Sequence, residues 1–204
     1  MKALIFKIGW ILHYLAPMKD AIEKTRRVLY TGYCSAKLKS IGKDSIIEPY
    51  LLALTGGKYI SIGDDTRIDR GTQLSAYSHF GDQDFTPEIR IGNGCGIGAN
   101  SHLSAVNGIF IGNNVRMGKE ILITDNAHGA SRRELLDQSP RLRPLYSKGP
   151  VIIEDNVWIG EKASIMPGVK IGKGSIIAAN SVVTHEVSPY CVVGGNPAKV
   201  IKQL

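Results

Sequence analysis

The sequence predicts an all-β solenoid of triangular coils, preceded by a short helical segment. Aliphatic residues recur at every sixth position, as in Ile153, Ile159, Ile165 and Ile171, and a small residue usually follows, as in IGNGCG and IGEKAS. A period of six fits neither an amphipathic helix, with about 3.6 residues per turn, nor a simple alternating strand. Because six is even, every anchor can point to the same side of an extended backbone. Three hexads would therefore close one coil, and stacked coils would share a core.

Fifteen aliphatic anchors group in threes, one group for each predicted coil. An earlier coil is expected to start at Ile41 and Ile47. The phase slips at 80–90 and at 107–110, and a long segment follows the anchor at 123. We expect these segments to enter between complete coils and leave the core as loops. The anchors are Ile62, Ile68, Leu74, Ile91, Ile97, Leu103, Ile111, Met117, Ile123, Ile153, Ile159, Ile165, Ile171, Ile177 and Val183.

Residues 1–40 are predicted to form a basic amphipathic helical segment, separate from a solenoid domain at 41–204. The net charge of +7 lies within residues 1–43, which hold nine Lys and Arg residues against two acids. The apolar run is too short to span a bilayer, and no signal-peptide cleavage site follows it. Two interpretations stay open: the segment caps the end of the solenoid, or it also lies on an anionic membrane. Its predicted apolar face comprises Leu4, Ile8, Ile11, Leu12 and Leu15.

Charge and cysteine usage narrow the classes of partner and compartment. No basic stripe continues from the N-terminal segment into the solenoid, which argues against nucleic-acid binding. The cysteines, Cys34, Cys95 and Cys191, are scattered and form no CxxC pair. This sparse, odd set argues against a disulfide scaffold and for a reducing compartment. We therefore expect buried thiols and a cytoplasmic protein, either free or at the inner face of the membrane.

Three segments of the solenoid are more specific than the repeat itself: ILITDNAHG, VIIEDNVWIGEKASIMPGVKIG and the tail VVGGNPAKVIKQL. With the hexads they resemble the hexapeptide-repeat acyltransferases over residues 41–204. The nearest branch is the sugar O-acetyltransferases of bacterial surface-polysaccharide synthesis. The resemblance implies a left-handed parallel β-helix, which departs from the usual right-handed crossover rule. It also implies a homotrimer that binds acetyl-CoA in clefts between subunits, with a closing tail at 186–204.

The candidate catalytic residue is His128. It follows the anchor Ile123 by five residues, at a corner where the interruption at 124–150 begins. By position alone, it is either a solvated loop histidine or a base in a covered groove. A neutral imidazole suits removal of a proton from a sugar hydroxyl as the oxygen attacks a thioester. The resemblance places the family's catalytic histidine here, and therefore implies that His128 is the general base of a direct transfer.

Four residues are predicted to bind the acceptor. Asp125 and Asn126 flank the base, where they either orient it or make hydrogen bonds to the local backbone at a turn. Asn100 and His102 lie in the preceding coil and would suit sugar hydroxyls, although a purely structural corner role stays open for His102. Where galactoside enzymes of the family have acceptor-binding Asn and Asp residues, this chain has Gly98 and Val106. The acceptor is therefore expected to be another saccharide, either free or lipid-linked.

The later coils are predicted to bind the donor. Trp158, placed at a corner just before Ile159, would cover the pantetheine arm of acetyl-CoA with its ring. The resemblance extends this role to the tail, although His185 and Glu161 depart from the family pattern. The expected cofactor-binding residues are Trp158, Gly160, Ala179, Thr184 and Lys199.

The loop at 124–150 carries five cations. Its cations would either hold a phosphate of CoA or of a lipid-linked sugar, or form a solvated loop. They are Arg132, Arg133, Arg141, Arg143 and Lys148. No two histidines stand five positions apart, so the metal site of γ-class carbonic anhydrases is not expected. We expect an acetyl-CoA-dependent O-acetyltransferase. N-acetylation of an amino sugar is the closest alternative, and a non-catalytic scaffold is a further one.

Overall fold

The computed structural model describes residues 1–14 and 16–204. Two α-helices, α1 (Lys2–Tyr14) and α2 (Ala16–Ser35), precede the strands, and a short helix α3 (Arg133–Leu136) lies in the long loop. Two 3₁₀ turns are found at Gly57–Tyr59 and Pro140–Leu142. The strands are β1 (Ser40–Ile41), β2 (Ile46–Ile47), β3 (Ala53–Thr55), β4 (Ile60–Ile62), β5 (Arg67–Ile68), β6 (Gln73–Ala76), β7 (His79–Phe80), β8 (Gln83–Asp84), β9 (Glu88–Ile91), β10 (Gly96–Ile97), β11 (His102–Ala105), β12 (Gly108–Ile111), β13 (Arg116–Met117), β14 (Leu122–Thr124), β15 (Ala127–His128), β16 (Leu145–Tyr146), β17 (Val151–Ile153), β18 (Trp158–Ile159), β19 (Ser164–Ile165), β20 (Lys170–Ile171), β21 (Ile176–Ile177), β22 (Val182–Val183), β23 (Cys191–Gly195) and β24 (Ala198–Gln203).

Most strands stack into the three faces of a triangular prism. Face A contains β1, β4, β9, β12, β17 and β20; face B contains β2, β5, β10, β13, β18, β21 and β23, with β24 at its end; face C contains β3, β6, β11, β14, β19 and β22. The chain visits A, B and C in turn, and strands within each stack are parallel, except that β24 pairs antiparallel with β23. Anchors stack on anchors, as where Ile153 pairs with Ile171. The predicted all-β, left-handed parallel β-helix is confirmed.

The core is the inside of this prism. All fifteen predicted anchors are buried, at no more than 4% exposure, and the three cysteines are buried and free, as expected. A second inward row, two residues before each anchor, was not predicted. It is aliphatic on face A, as at Ile60 and Ile89, and often polar elsewhere. Thr66 belongs to this row, and its hydroxyl donates to the Gly92 carbonyl and accepts from the Cys95 amide, so it joins adjacent coils.

The two long insertions leave the prism at the same edge, between faces C and A, which we call the C–A edge. The first follows β6 and forms a hairpin in which β7 and β8 pair antiparallel. The second follows β14 and begins and ends with the antiparallel pair β15 and β16. In contrast, every connection from A to B or from B to C between β4 and β22 is a short turn. Insertions confined to one edge leave the interior ladder of the solenoid intact.

Helix α2 covers the open end of the first coil. The Thr31 hydroxyl accepts from the Ile47 amide at 3.0 Å, so it satisfies a backbone donor at the edge of the stack, and its single proton is shared between the carbonyls of Arg27 and Ile47, at 2.8 and 3.3 Å. The Tyr30 hydroxyl accepts from the Leu51 amide, and Cys34 is buried in the core cluster. A bare terminal coil would expose these groups to water. Leu15 of the predicted apolar helical face lies outside the described residues, as do the side chains of Leu4, Ile8, Ile11 and Leu12.

The side chain of Asp125 joins two adjacent coils of the solenoid by hydrogen bonds at the C–A edge. Its side chain is fully buried, and its oxygens accept hydrogen bonds from the amides of Val106, Asn107 and Gly108, at 2.9, 2.7 and 2.6 Å. A buried carboxylate that accepts several amide hydrogen bonds is strongly held. The base of the long insertion is therefore fixed to the coil before it.

Asp125→Asn should destabilise the protein by about 2–4 kcal/mol, because a carboxamide group cannot accept on both sides and leaves buried amides unpaired. The free energy of unfolding in urea measures this loss. Asp137→Asn is a matched control, since Asp137 is exposed in the same insertion, and we expect it to change stability by less than about 0.5 kcal/mol. Equal stability of Asp125→Asn and the wild type would contradict the role of Asp125 in joining adjacent coils.

Candidate active site at the C–A edge

His128 stands outside the core, at the root of the long insertion. It lies in β15 and is exposed, and its backbone is paired with that of Leu145 in β16. Neither ring nitrogen has a hydrogen-bond partner among the described residues. An exposed imidazole with both nitrogens open can accept a proton from a ligand. A regular strand pair, rather than a free loop, sets its position.

The hairpin of β7 and β8 supports this strand pair from the side. The Gln83 carboxamide accepts from the Leu145 amide at 2.6 Å and donates to the Leu145 carbonyl at 3.2 Å. The Phe80 ring meets the His128 ring edge-on, with centroids 5.4 Å apart and planes at 67°. Aromatic pairs favour this T-shaped arrangement. The hairpin therefore holds both the backbone partner of the histidine and the imidazole itself.

The side chains of Asp125 and Asn126, close to His128 in sequence, make hydrogen bonds to backbone groups. Asp125 is committed to the three amides at 106–108, and the Asn126 carboxamide donates to the Ser104 carbonyl and to Asp125. Neither side chain makes a hydrogen bond or ion pair with His128 within the described structure. Of the two roles left open by the sequence, hydrogen bonding at a turn is the one that the geometry displays. Their assignment to acceptor binding stays a prediction.

The other two predicted acceptor residues lie on face C and at the corner before it. Asn100 has a left-handed backbone (φ 60°), as have Glu120, Lys162 and Asn180 at the equivalent corners, so its conformation is that of the turn. His102 faces outward from β11, between Gln73 and Leu122 in register. Its Nε2 is buried without a hydrogen-bond partner, and burial lowers the pKa of the imidazole, which favours the neutral form. Acceptor binding by either residue stays a prediction.

The predicted donor-binding residues divide into two groups. Trp158, Gly160 and Ala179 lie together at face B and its border with face C, where the coils approach closely. A Cβ atom on Gly160 would lie 2.6 Å from the Ala179 amide nitrogen. Lys199 extends the end of face B, in β24 opposite Gly194. Thr184, whose hydroxyl contacts the His185 ring at 2.8 Å, instead follows face C at the C–A edge.

The prediction that Trp158 occupies a corner was wrong. The residue before each anchor belongs to the flat strand and points outward, so the indole lies on face B, 55% exposed, between Arg116 and Ile176. In a triangular prism, face B is opposite the C–A edge. The indole and the His128 imidazole of one chain therefore lie on opposite sides of the solenoid, and no contact in the described structure joins them.

Sequence reasoning missed three residues that shape these surfaces: Phe80, Gln83 and Arg116. The first two act on partners far along the chain, and no local pattern marks them. Arg116 could have been found, because outward positions directly precede anchors and every third one lies on the same face. Its guanidinium lies over Gly96, where a Cβ atom would approach it to 2.5 Å. The guanidinium therefore lies toward β10, on the other side of β13 from the Trp158 indole.

Within the described part of the chain, no helix has both the length and the apolarity needed to cross a bilayer. The same residues contain no group of three or more His, Cys, Asp or Glu side chains placed to hold a metal ion.

Comparison with known proteins links this geometry to a family. A family model described as bacterial transferase hexapeptide (six repeats) matches residues 150–185, and one described as hexapeptide repeat of succinyl-transferase matches residues 88–119. A chloramphenicol acetyltransferase of Klebsiella aerogenes is 37% identical over 148 residues, 67% of each chain. WbbJ of Escherichia coli, a putative lipopolysaccharide biosynthesis O-acetyl transferase, is 32% identical over 105 residues, which are 50% of this chain and 54% of WbbJ.

Solved structures share the fold. A variant of AntD, an N-acyltransferase from Bacillus cereus, was crystallised with dTDP-4-amino-4,6-dideoxyglucose and Coenzyme A. It superposes with a TM-score of 0.69 at 22% identity, covering 85% of this chain and 88% of AntD. At 22% identity, the likeness to AntD concerns the fold alone. The similarity to the sequence relatives, in contrast, identifies the family. With the hexapeptide coils and the identity to an acetyltransferase over two thirds of its length, the chain belongs to the hexapeptide-repeat acyltransferase family.

Proposed function

We propose that this protein transfers an acetyl group from acetyl-CoA to a sugar hydroxyl during the synthesis of a surface polysaccharide or lipopolysaccharide. The observation that supports this most is the exposed imidazole of His128, held between the β15–β16 pair and the Phe80 ring with both nitrogens open. Such a group can act as a base without moving any structural hydrogen bond. The similarity to WbbJ supports both the hydroxyl acceptor and the polysaccharide setting.

In this proposal, His128 removes the hydroxyl proton as the sugar oxygen attacks the thioester carbonyl carbon. A carbon–oxygen bond forms and the carbon–sulfur bond breaks. The proton held on the imidazole then passes to the departing sulfur, which restores the neutral base. General-base help of this kind contributes about 10²–10⁴-fold to the rate. The charge on the carbonyl oxygen would be stabilised by backbone amides at a corner.

Face B fits a long, anionic donor. Trp158 offers an exposed ring for the pantetheine arm, while Arg116 and Lys199 add cations farther along face B, on either side of it. At the neighbouring corner, a Cβ atom on Gly160 would collide with the Ala179 backbone, so a glycine is needed for the coils to pack there. Thr184 lies on the His128 side and would belong to a different part of the site. CoA would be a substrate bound across these surfaces, and its thioester supplies the activated acetyl group.

The separation of His128 from Trp158 leads to a proposal about assembly. Because one chain presents them on opposite sides of the prism, a complete site needs the C–A edge of one subunit against face B of another. A head-to-tail contact of this kind closes into a ring when the rotation permits, and three triangular prisms give a homotrimer with three equivalent sites.

An amine acceptor is the second candidate. It is favoured by the shared fold with AntD, an N-acyltransferase solved with an amino sugar nucleotide. A neutral amine is a better nucleophile than a hydroxyl and needs less help from a base. The two candidates therefore differ in how far turnover depends on the imidazole.

His128→Ala should lower kcat by about 10²–10⁴-fold at neutral pH and leave the Kd for CoA unchanged, since the base acts in the transfer step. The kcat is measured by acetyl transfer to a panel of saccharides, with mass spectrometry of the products. The Kd for CoA is measured by calorimetry. The control is His79→Gln, because His79 is an exposed histidine that contacts Asp84 and has no part in the proposed chemistry. Turnover by His128→Ala within tenfold of wild type would contradict the base, and transfer to amines alone would favour the second candidate.

We also propose that the N-terminal segment rests on an anionic membrane at the cytoplasmic face. In α1, Ile5, Phe6 and Trp10 are exposed, with Phe6 at 79%, and α2 exposes Met18 and Ile22. Residues 1–43 also carry nine Lys and Arg side chains against two acids. Apolar area combined with basic charge is the pattern of interfacial helices. Contact here would bring the solenoid close to a lipid-linked acceptor.

Replacing both Ile5 and Phe6 by Glu should reduce co-sedimentation with vesicles containing phosphatidylglycerol at least fivefold, because the change removes apolar contact and adds repelling charge. Wild-type binding should also fall when the vesicles are neutral or the salt concentration is raised. Circular dichroism and the oligomeric state serve as controls for folding. Equal sedimentation of the variant and the wild type would refute the membrane contact.

A further inference from the structure

A cleft of about 550 Å³ separates the β7–β8 hairpin from the end of the long insertion. We call it the hairpin cleft. Its lining includes Phe80, Asp82 and Gln83 on one side, and Arg141, Arg143 and Pro144 on the other. A cleft of this volume can receive a sugar with an attached group.

The hairpin cleft adjoins the candidate base through two shared side chains, and His128 itself is not part of its lining. Phe80 lines it and also contacts the His128 ring. Gln83 lines it too, and its carboxamide holds Leu145, the strand partner of His128. A ligand in the cleft would therefore lie against the same two side chains that support the imidazole. This places the cleft on the acceptor side of the site, since the Trp158 surface lies on the opposite face.

The two arginines of the cleft differ in what they already bind. The Arg143 guanidinium donates to the carbonyls of Gln138 and Leu136, at 2.9 and 3.1 Å, so it holds the loop together. Arg141 is exposed and has no hydrogen bond or ion pair within the described part of the chain. Across the cleft, Asp82 is the single acid in the lining. The wall beside Arg141 thus carries excess positive charge and an unused guanidinium fork.

A guanidinium group is planar and presents paired donors that match the oxygens of a phosphate. A neutral sugar would leave these donors to water, whereas a phosphate ester would use them fully. Asp82 can accept hydrogen bonds from sugar hydroxyls, as carboxylates do, and the apolar Phe80 ring can cover a face of the sugar. The lining therefore fits an acceptor with a sugar at one end and a phosphate at the other.

We propose that the hairpin cleft is the acceptor site and that Arg141 selects acceptors carrying a phosphate ester or diphosphate. This inference rests on the proposed function for the identity of the reacting group, but the phosphate site itself does not depend on turnover. The phosphate could belong to a nucleotide sugar or to a lipid-linked sugar. Both share the chemistry that Arg141 would recognise.

The test measures binding, with inorganic pyrophosphate as the probe and CoA present at saturation so that donor cations are occupied. Isothermal titration calorimetry should show that Arg141→Gln raises the Kd for pyrophosphate about tenfold or more, as expected when a charge-assisted hydrogen bond is lost. Arg133→Gln is the matched control. Arg133 is an exposed arginine of the same insertion that does not line the cleft, and its replacement should change the Kd less than twofold.

Equal weakening by Arg141→Gln and Arg133→Gln would overturn the proposal, as would loss of pyrophosphate binding once CoA saturates the protein. His128→Ala should bind pyrophosphate like wild type, so failure of the catalytic assignment and failure of the phosphate site can be told apart. UDP and geranyl diphosphate then distinguish the two sources. Tighter binding of UDP than of pyrophosphate indicates a nucleotide sugar, and tighter binding of geranyl diphosphate indicates a lipid-linked one.

Discussion

The structure depends on the ladder of parallel backbone hydrogen bonds that joins each coil to the next. Equivalent anchors must stack for this ladder to form, as where Ile111 pairs with Ile153 across the long insertion. Any extra residues must therefore leave the prism and return in register. They do so at the C–A edge, because both long insertions start after face C and end before face A. The constraint that builds the core thus also gathers both long insertions, and His128 with them, along a single edge.

Two buried or partly buried side chains hold the insertions in place at the C–A edge. The buried carboxylate of Asp125 fixes the root of the second insertion, and the Gln83 carboxamide fixes its strand β16 to the first insertion. His128 lies between these two attachments. The proposed donor surface, centred on Trp158, lies on face B, across the prism from this edge. A solenoid of this shape can divide base and donor surface between two copies of itself, and the site then exists only at a subunit boundary.

The sequence allowed the fold to be predicted well because its signal is local and repeated. Each anchor is identified by its neighbours six residues away, and burial of Ile123 or Ile177 follows directly. The polar inward row was missed because residues such as Thr66 carry no apolar pattern, and their hydroxyls bond to a different coil. The predicted corner position of Trp158 was wrong, because the residue directly before an anchor belongs to the strand and not to the turn. Phe80 and Gln83 were invisible because their partners, His128 and Leu145, are distant in sequence.

The most direct test of the divided site mixes two impaired proteins, His128→Ala and Trp158→Ala, after mild dissociation and reassembly. Each mixed assembly would contain a boundary with an intact imidazole from one chain and an intact indole from the other. The account predicts that acetyl transfer at low acetyl-CoA rises well above the sum of the two separate variants. If mass spectrometry shows mixed assemblies while activity stays at that sum, each chain holds its own complete site, and the account is contradicted.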